Sequence, residues 1–217
     1  MTCISTMKLR SKFFATLTAT AILVSAPLPA AADEAEDMVR NTAAQVLAIL
    51  NDETTASLAK RDKLEVVMVE NADFTTIAKL VLARNWRTLP EADRDEFATL
   101  FRRYLTVTYG RNVDNYSNEG IEVVNSREEA RGDRTVYTKI VRNGPDDILV
   151  SYRVRNFDGR WKIIDVVAEG VSMVSNLRSQ FQDIISQGGN AKLLKILRGK
   201  VAEEGAEESE TGSAANE

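Results

Sequence analysis

Histidine is absent from this 217-residue chain, and its only cysteine is Cys3. The first absence removes Ser-His-Asp and Cys-His pairs and the HExxH zinc site, and leaves no side chain that titrates near neutral pH without perturbation. The second removes more than one residue's worth of chemistry, because Cys3 lies in a stretch that reads as an export leader. With that leader gone the chain has no disulfide, no thiol nucleophile and no thiolate metal ligand, although an exported protein could have formed disulfides. Cys3 also precedes the leader's apolar segment, so it is not placed to be the acylated cysteine of a lipoprotein. No P-loop motif is present, and no apolar run approaches the roughly 20 residues of a permanent membrane helix. No metal and no cofactor are expected.

The leader rests on three cationic residues, Lys8, Arg10 and Lys12, followed by an uncharged apolar stretch from Phe13 to Val24. Pro27 and Pro29 then break the helix, Ala30-Ala31-Ala32 supplies a small-residue cleavage site, and Asp33 opens a charged segment. The expected cut follows Ala32, giving a signal peptide over 1–32 and a single domain over 33–200. Residues 201–217 contain six Glu and no basic residue, which predicts a disordered acidic tail.

Losing Lys8, Arg10 and Lys12 leaves 25 basic against 32 acidic residues, a net charge of −7. That balance disfavours nucleic acid, and no basic cluster with interleaved aromatics suggests a phosphate-tracking groove. Acid–base chemistry would have to come from carboxylates, with Asp146-Asp147, Asp165 and Glu169 the ones to inspect. Solvated surface is the stronger reading of all four, and the chain is not expected to be an enzyme.

Periodicity divides the domain into a helical half, 33–112, and a sheet with final helices, 119–200. Val39, Ala43, Val46, Leu47 and Leu50 recur at helical spacing, as do Leu64, Val67 and Met68. Asp73 is placed to cap a helix carrying Phe74, Ile77, Leu80 and Val81. Thr88 and Glu91 have capping-box spacing ahead of a stripe formed by Phe97, Leu100, Phe101, Tyr104, Leu105 and Thr108. Four strands are then predicted: Glu119–Asn125, Arg134–Arg142, Asp147–Phe157 and Arg160–Ala168. Asn143-Gly144-Pro145-Asp146 and Asp158-Gly159 supply the clearest turns. Ile148, Val150, Tyr152 and Val154 alternate with Ser151, Arg153 and Arg155, so the sheet buries one face. Gly170 breaks the last strand before a helix over Val171–Gln187, and Gly188-Gly189 hinges a short helix, Ala191–Arg198. The fold class is α+β: a curved antiparallel sheet of about four strands, wrapped by the N-terminal helices and the post-sheet helix.

The run Asp73-Phe74-Thr75-Thr76-Ile77-Ala78-Lys79-Leu80-Val81-Leu82-Ala83-Arg84-Asn85-Trp86, then Phe97, Phe101 and Tyr104, resembles the helical half of the toluene-tolerance (MlaC-type) family of periplasmic phospholipid-binding proteins. The second half resembles it too, through Trp161 to Val174, then Arg178, Gln180, Phe181 and Gly188-Gly189. Ala83 stands where the family favours Gly, and the acidic tail runs past the family's usual end. The resemblance implies a fold that encloses an apolar cavity for acyl chains. It also implies a shuttle that carries phospholipid across the periplasm between an outer-membrane lipoprotein complex and an inner-membrane ABC transporter with a lipid-binding ring. That role maintains outer-membrane lipid asymmetry; hopanoid-associated relatives make a rigid polycyclic lipid the alternative cargo.

The expected cavity residues are Ile77, Val81, Phe97, Phe101, Tyr104, Leu105, Val150, Tyr152, Val154, Ile163, Val171, Val174 and Phe181. The same stripes would also build an ordinary dry core. Trp86 and Trp161 are assigned to packing, while Arg84 and Arg178 are candidates for a head group, a partner or an ion pair. A periplasmic adaptor that merely docks between membrane complexes is the alternative function, and it predicts a filled core with an exposed apolar patch.

Overall fold

The computed structural model describes residues 33–110, 120–142 and 146–214. The predicted leader, Glu119 and the turn at Asn143-Gly144-Pro145 lie outside those residues. Helix α1 (Glu34–Leu50) starts at Asp33, whose carboxylate accepts the Ala35 amide hydrogen bond at 3.0 Å. Three acids in its first turn suit the positive end of the helix dipole. Asp33 also accepts hydrogen bonds from Ser126 and Arg134, which fastens the start of α1 to the sheet. Helix α2 (Ser57–Asn71) buries only Val67.

Asp73 caps α3 (Phe74–Leu82) as its position predicts, accepting from the Thr76 amide at 2.6 Å. The helix ends at Ala83, whose φ of 50° and ψ of −114° lie in a region that suits glycine. A five-residue helix, α4 (Arg84–Thr88), follows. The capping box expected of Thr88 and Glu91 does not form. Thr88 belongs to the last turn of α4, and its hydroxyl donates to the Asn85 carbonyl. Pro90, with no amide hydrogen to lose, precedes α5 (Glu91–Gly110) and accepts the first bond of that helix from Arg94.

The sheet is an open antiparallel meander of five strands in the order β1 to β5: β1 (Gly120–Glu128), β2 (Arg134–Val141), β3 (Ile148–Phe157), β4 (Arg160–Ala168) and β5 (Val171–Ser172). Irregularities at Val123/Asn125 and Arg153/Val154 add the local bend of a bulge and curve the sheet. The fifth strand corrects the expected helix start at Val171: Val171 and Ser172 pair with Ala168 and Val167 before the chain becomes helical. Helix α6 (Met173–Ala214) is broken at Gly188-Gly189, where Gly189 has φ 69° and ψ −175°, a conformation essentially restricted to glycine. Beyond the break the helix continues through Arg198 into the acidic segment to Ala214, where composition alone predicts disorder. Glu and Ala are strong helix formers, and the packed helix upstream supplies the nucleus.

Among the described residues, two apolar clusters result. One joins α3, α5 and α6 through Ile77, Val81, Leu82, Phe97, Phe101, Leu105, Val174, Leu177 and Phe181, with Leu193, Leu194 and Leu197 from beyond the glycine break. Phe97 and Phe101 stack at 5.3 Å, and Phe181 meets both edge-on at 6.1 and 6.0 Å. The other lies under α1, where Ala35 and Val39 pack on Val136 and Val154, with Trp161 against them. The α2–α3 junction bridges the halves: Ala72 pairs with Ile163 of β4, and the Asp73 amide donates to the Ile163 carbonyl at 3.0 Å.

Candidate functional site

Between these two clusters lies a cavity of about 200 Å³. Val39, Thr42, Ala43 and Val46 of α1 line it, with Val67, Met68 and Asn71 of α2, and Ala72, Phe74 and Ile77 around the start of α3. Leu105 of α5, Met173 of α6, and Ile121, Tyr152, Ile163 and Val166 of the sheet complete the wall. The cavity exists because α1 and α2 bridge the space over the sheet with small and medium side chains, while the bulky aromatics of α5 and α6 fill one another's volume instead.

Its chemistry is uniform. Among the described residues, no lining side chain is an acid or a base. The two short polar side chains already have partners: Thr42 donates to the Met38 carbonyl and Asn71 to the Val67 carbonyl, both at 2.8 Å. Burial pushes the Tyr152 phenol above its ordinary pKa, so it stays neutral. Such a wall favours hydrocarbon and offers no group for acid–base or nucleophilic work. Among the described residues, no cluster of three acidic, Cys or His side chains could hold a metal.

Of the expected cavity residues, Ile77, Leu105, Tyr152 and Ile163 line the hollow. Val81, Phe97, Phe101, Val174 and Phe181 are buried in the helical cluster, and Tyr104 packs against it. Val154 packs under α1. Val150 borders a separate, open recess beside Val124, Tyr137 and Leu149. Val171 is 61% exposed, because the two-residue edge strand turns it outward before α6 begins. None of the expected cavity residues comes from α1 or α2, which supply seven of the lining residues. Their signal was the small residue Ala43 inside an apolar stripe, which leaves room where a core helix would place a larger side chain.

Three of the four carboxylates picked out for inspection, Asp147, Asp165 and Glu169, have structural partners. Asp165 accepts from the Ser172 hydroxyl at 2.6 Å and from the amides of Val174 and Val166, binding β4 to the start of α6. Glu169 accepts from the Leu149 amide, and Asp147 lies 3.6 Å from Lys139. On the other side of the sheet from α1, fully buried Asp133 takes two hydrogen bonds from Arg155, at 2.6 and 2.8 Å, and pairs with Arg153 at 3.0 Å. Burial alone would raise the Asp133 pKa, but the two guanidinium groups outweigh it and hold the carboxyl below its ordinary range. Trp86 packs edge-on to Phe97 at 6.4 Å. Arg178 donates twice to the Leu80 carbonyl at the end of α3, whereas Arg84 is exposed.

The chain is similar to several known proteins. The family model for MlaC protein matches residues 40–199. A toluene tolerance protein of Pseudomonas putida is 28% identical over 169 residues, spanning 75% of this chain and 78% of that protein. The intermembrane phospholipid transport system binding protein MlaC of Haemophilus influenzae is 26% identical over 148 residues, spanning 65% of this chain and 66% of its own length. The solved structure of a phospholipid-binding protein from Ralstonia solanacearum, in complex with a phospholipid, superposes with a TM-score of 0.70 at 22% identity, covering 79% of this chain and 98% of that one.

Proposed function

The chain belongs to the MlaC family of periplasmic, non-catalytic lipid-binding proteins, and on that premise we propose that it shuttles one phospholipid at a time between an outer-membrane lipoprotein complex and an inner-membrane ABC transporter. The observation that carries this reading is the hollow between the two cores, walled among the described residues by apolar side chains with no acid or base. Exposing two acyl chains to water costs on the order of 20 kcal/mol, so a carrier must enclose most of their surface. An adaptor with a filled core has no use for such a void.

The volume constrains the mechanism. An apolar cavity of roughly 150 Å³ holds one benzene. The cavity of about 200 Å³ therefore accepts a short stretch of chain and not a whole diacyl lipid. Loading then requires the walls to separate, and the thinly packed walls are α1 and α2, which bury Ala35, Val39 and Val67 alone. Asp33 fixes one end of α1 to the sheet through Ser126 and Arg134, and Ala72 and Asp73 fix the end of α2 to β4, so the far half of α1 and the start of α2 are the elements that move outward. Opening would be driven by whichever partner or lipid stabilises the expanded form.

The shuttle is tested by reconstitution. Lipid-loaded protein is mixed with the ABC transporter complex in one set of vesicles and with the outer-membrane complex in another, each lacking the labelled lipid. Transfer of the label to a complex-bearing vesicle, absent with empty vesicles, is the expected result. Equal transfer to vesicles without either complex would refute docking on those partners.

A further inference from the structure

The C-terminal end of α3 and the adjoining α4 gather five basic residues: Lys79, Arg84, Arg87, Arg94 and Arg178. Among the described residues none of the five pairs with a carboxylate. Two act on the backbone, Arg178 through the Leu80 carbonyl and Arg94 through the carbonyls of Trp86 and Arg87 at 3.0 and 3.2 Å. The other three, Lys79, Arg84 and Arg87, are exposed and surround an open recess of about 520 Å³, lined also by Ala83 and Trp86. The Lys79 ammonium lies 6.0 Å from the centre of the Trp86 ring, within range of a cation–π contact. Phe97 and Arg94 hold Trp86 and its turn in place. In a chain expected to carry a net charge of −7 once the leader is removed, this places three mutually repelling, exposed cations around a fixed indole, with no carboxylate partner among the described residues.

We propose that this recess is a docking point for a carboxylate-rich surface of a partner protein, so that the carrier presents its α3–α4 end to whatever loads or empties it. The proposal rests on the carrier reading only in supposing that such a partner exists. A bilayer fits less well. The chain's overall charge repels anionic lipid, and the exposed large apolar side chains that could insert, Val66, Val69, Val124, Leu149 and Val171, lie on α2, β1, β3 and β5 instead of in the recess. Trp and Arg, by contrast, are the residues most enriched at protein-binding hot spots, and exposed cations steer an acidic partner during encounter.

Trp86 makes the test direct, since Trp161 is the only other tryptophan. The full chain from Asp33, carrying Trp161→Phe, is titrated with a ten-residue polyglutamate peptide at low ionic strength while Trp86 emission is followed. The same titration by calorimetry on the unsubstituted chain covers the case in which that background folds poorly. A saturable response that weakens as salt rises is expected. The triple variant K79E/R84E/R87E should bind the peptide roughly 10- to 100-fold more weakly, from the loss of three exposed ion pairs, while its lipid loading is unchanged. No saturable response, or the same response in the triple variant, would overturn the proposal. So would a response to phosphatidylglycerol vesicles without one to the peptide, which would make the recess a membrane contact. Loss of lipid loading in the parent and the variant alike would instead count against the carrier reading, leaving peptide binding to be judged separately.

Discussion

Replacing Ala43 by leucine separates a ligand cavity from an ordinary core by the sign of its effect. Ala43 faces the hollow from α1. At roughly 24 cal/mol per Å³ of void, a cavity of about 200 Å³ withholds about 5 kcal/mol of packing from the empty protein. Leucine adds three carbons at about 0.8 kcal/mol each and loses about 0.5 to 1 kcal/mol in side-chain freedom, a net gain of about 1.5 kcal/mol. For a domain of this size the melting temperature should rise by about 3 to 6 °C. Urea and thermal unfolding of delipidated protein measure the gain, and lipid uptake from vesicles should fall in the same variant. A filled interior would give the opposite sign, an overpacking loss of about 1 to 3 kcal/mol. That loss in Ala43→Leu would refute the void, and stabilisation with undiminished lipid uptake would refute its role.

Three further substitutions read other parts of the account. Ala83→Gly relieves strain of about 1 to 3 kcal/mol at φ 50° against a chain-entropy cost of about 0.5 to 1 kcal/mol, so urea unfolding should show a gain of about 1 kcal/mol. Gly189→Ala forces a non-glycine residue into φ 69°, ψ −175°, and should cost about 1 to 3 kcal/mol while loosening Leu193, Leu194 and Leu197, seen as faster amide exchange beyond residue 189. Asp133→Asn leaves Arg153 and Arg155 without their carboxylate. The cost should be about 2 to 3 kcal/mol, below that of a fully buried pair because the two arginine side chains are 44% and 31% exposed. Asp133 has a folded pKa below its unfolded one, so its contribution is complete above about pH 4 and disappears as pH falls through the folded value. Acid unfolding of the parent should therefore steepen below about pH 4, and Asp133→Asn should flatten that limb; an unchanged acid limb would contradict the assignment.

The strands were legible because period-two alternation in β2 to β4 is bounded by strong turns, and α3 because Asp73 caps it locally. The bulges were not, since an extra residue in a strand changes pairing without changing composition. Nor was β5, whose two residues carry too little pattern to distinguish strand from helix start. The site was half legible for a related reason. Apolar periodicity identifies which face of an element turns inward, and Ile77, Leu105, Tyr152 and Ile163 lie beside the hollow. It does not say whether the facing volume is filled. Phe97, Phe101 and Phe181 fill each other's space, a three-body packing fact that joins positions 80 or more residues apart on two helices, whereas Ala43 and Ala72 leave space open.

The most direct test of the central claim is native mass spectrometry of the protein purified from a bacterial periplasm, followed by organic extraction of whatever is bound. One diacyl phospholipid per chain is expected, released when the protein is denatured and restored by incubation with vesicles. A polycyclic lipid in its place would reassign the cargo, and a chain that is empty as purified and takes up no lipid from vesicles would contradict the account.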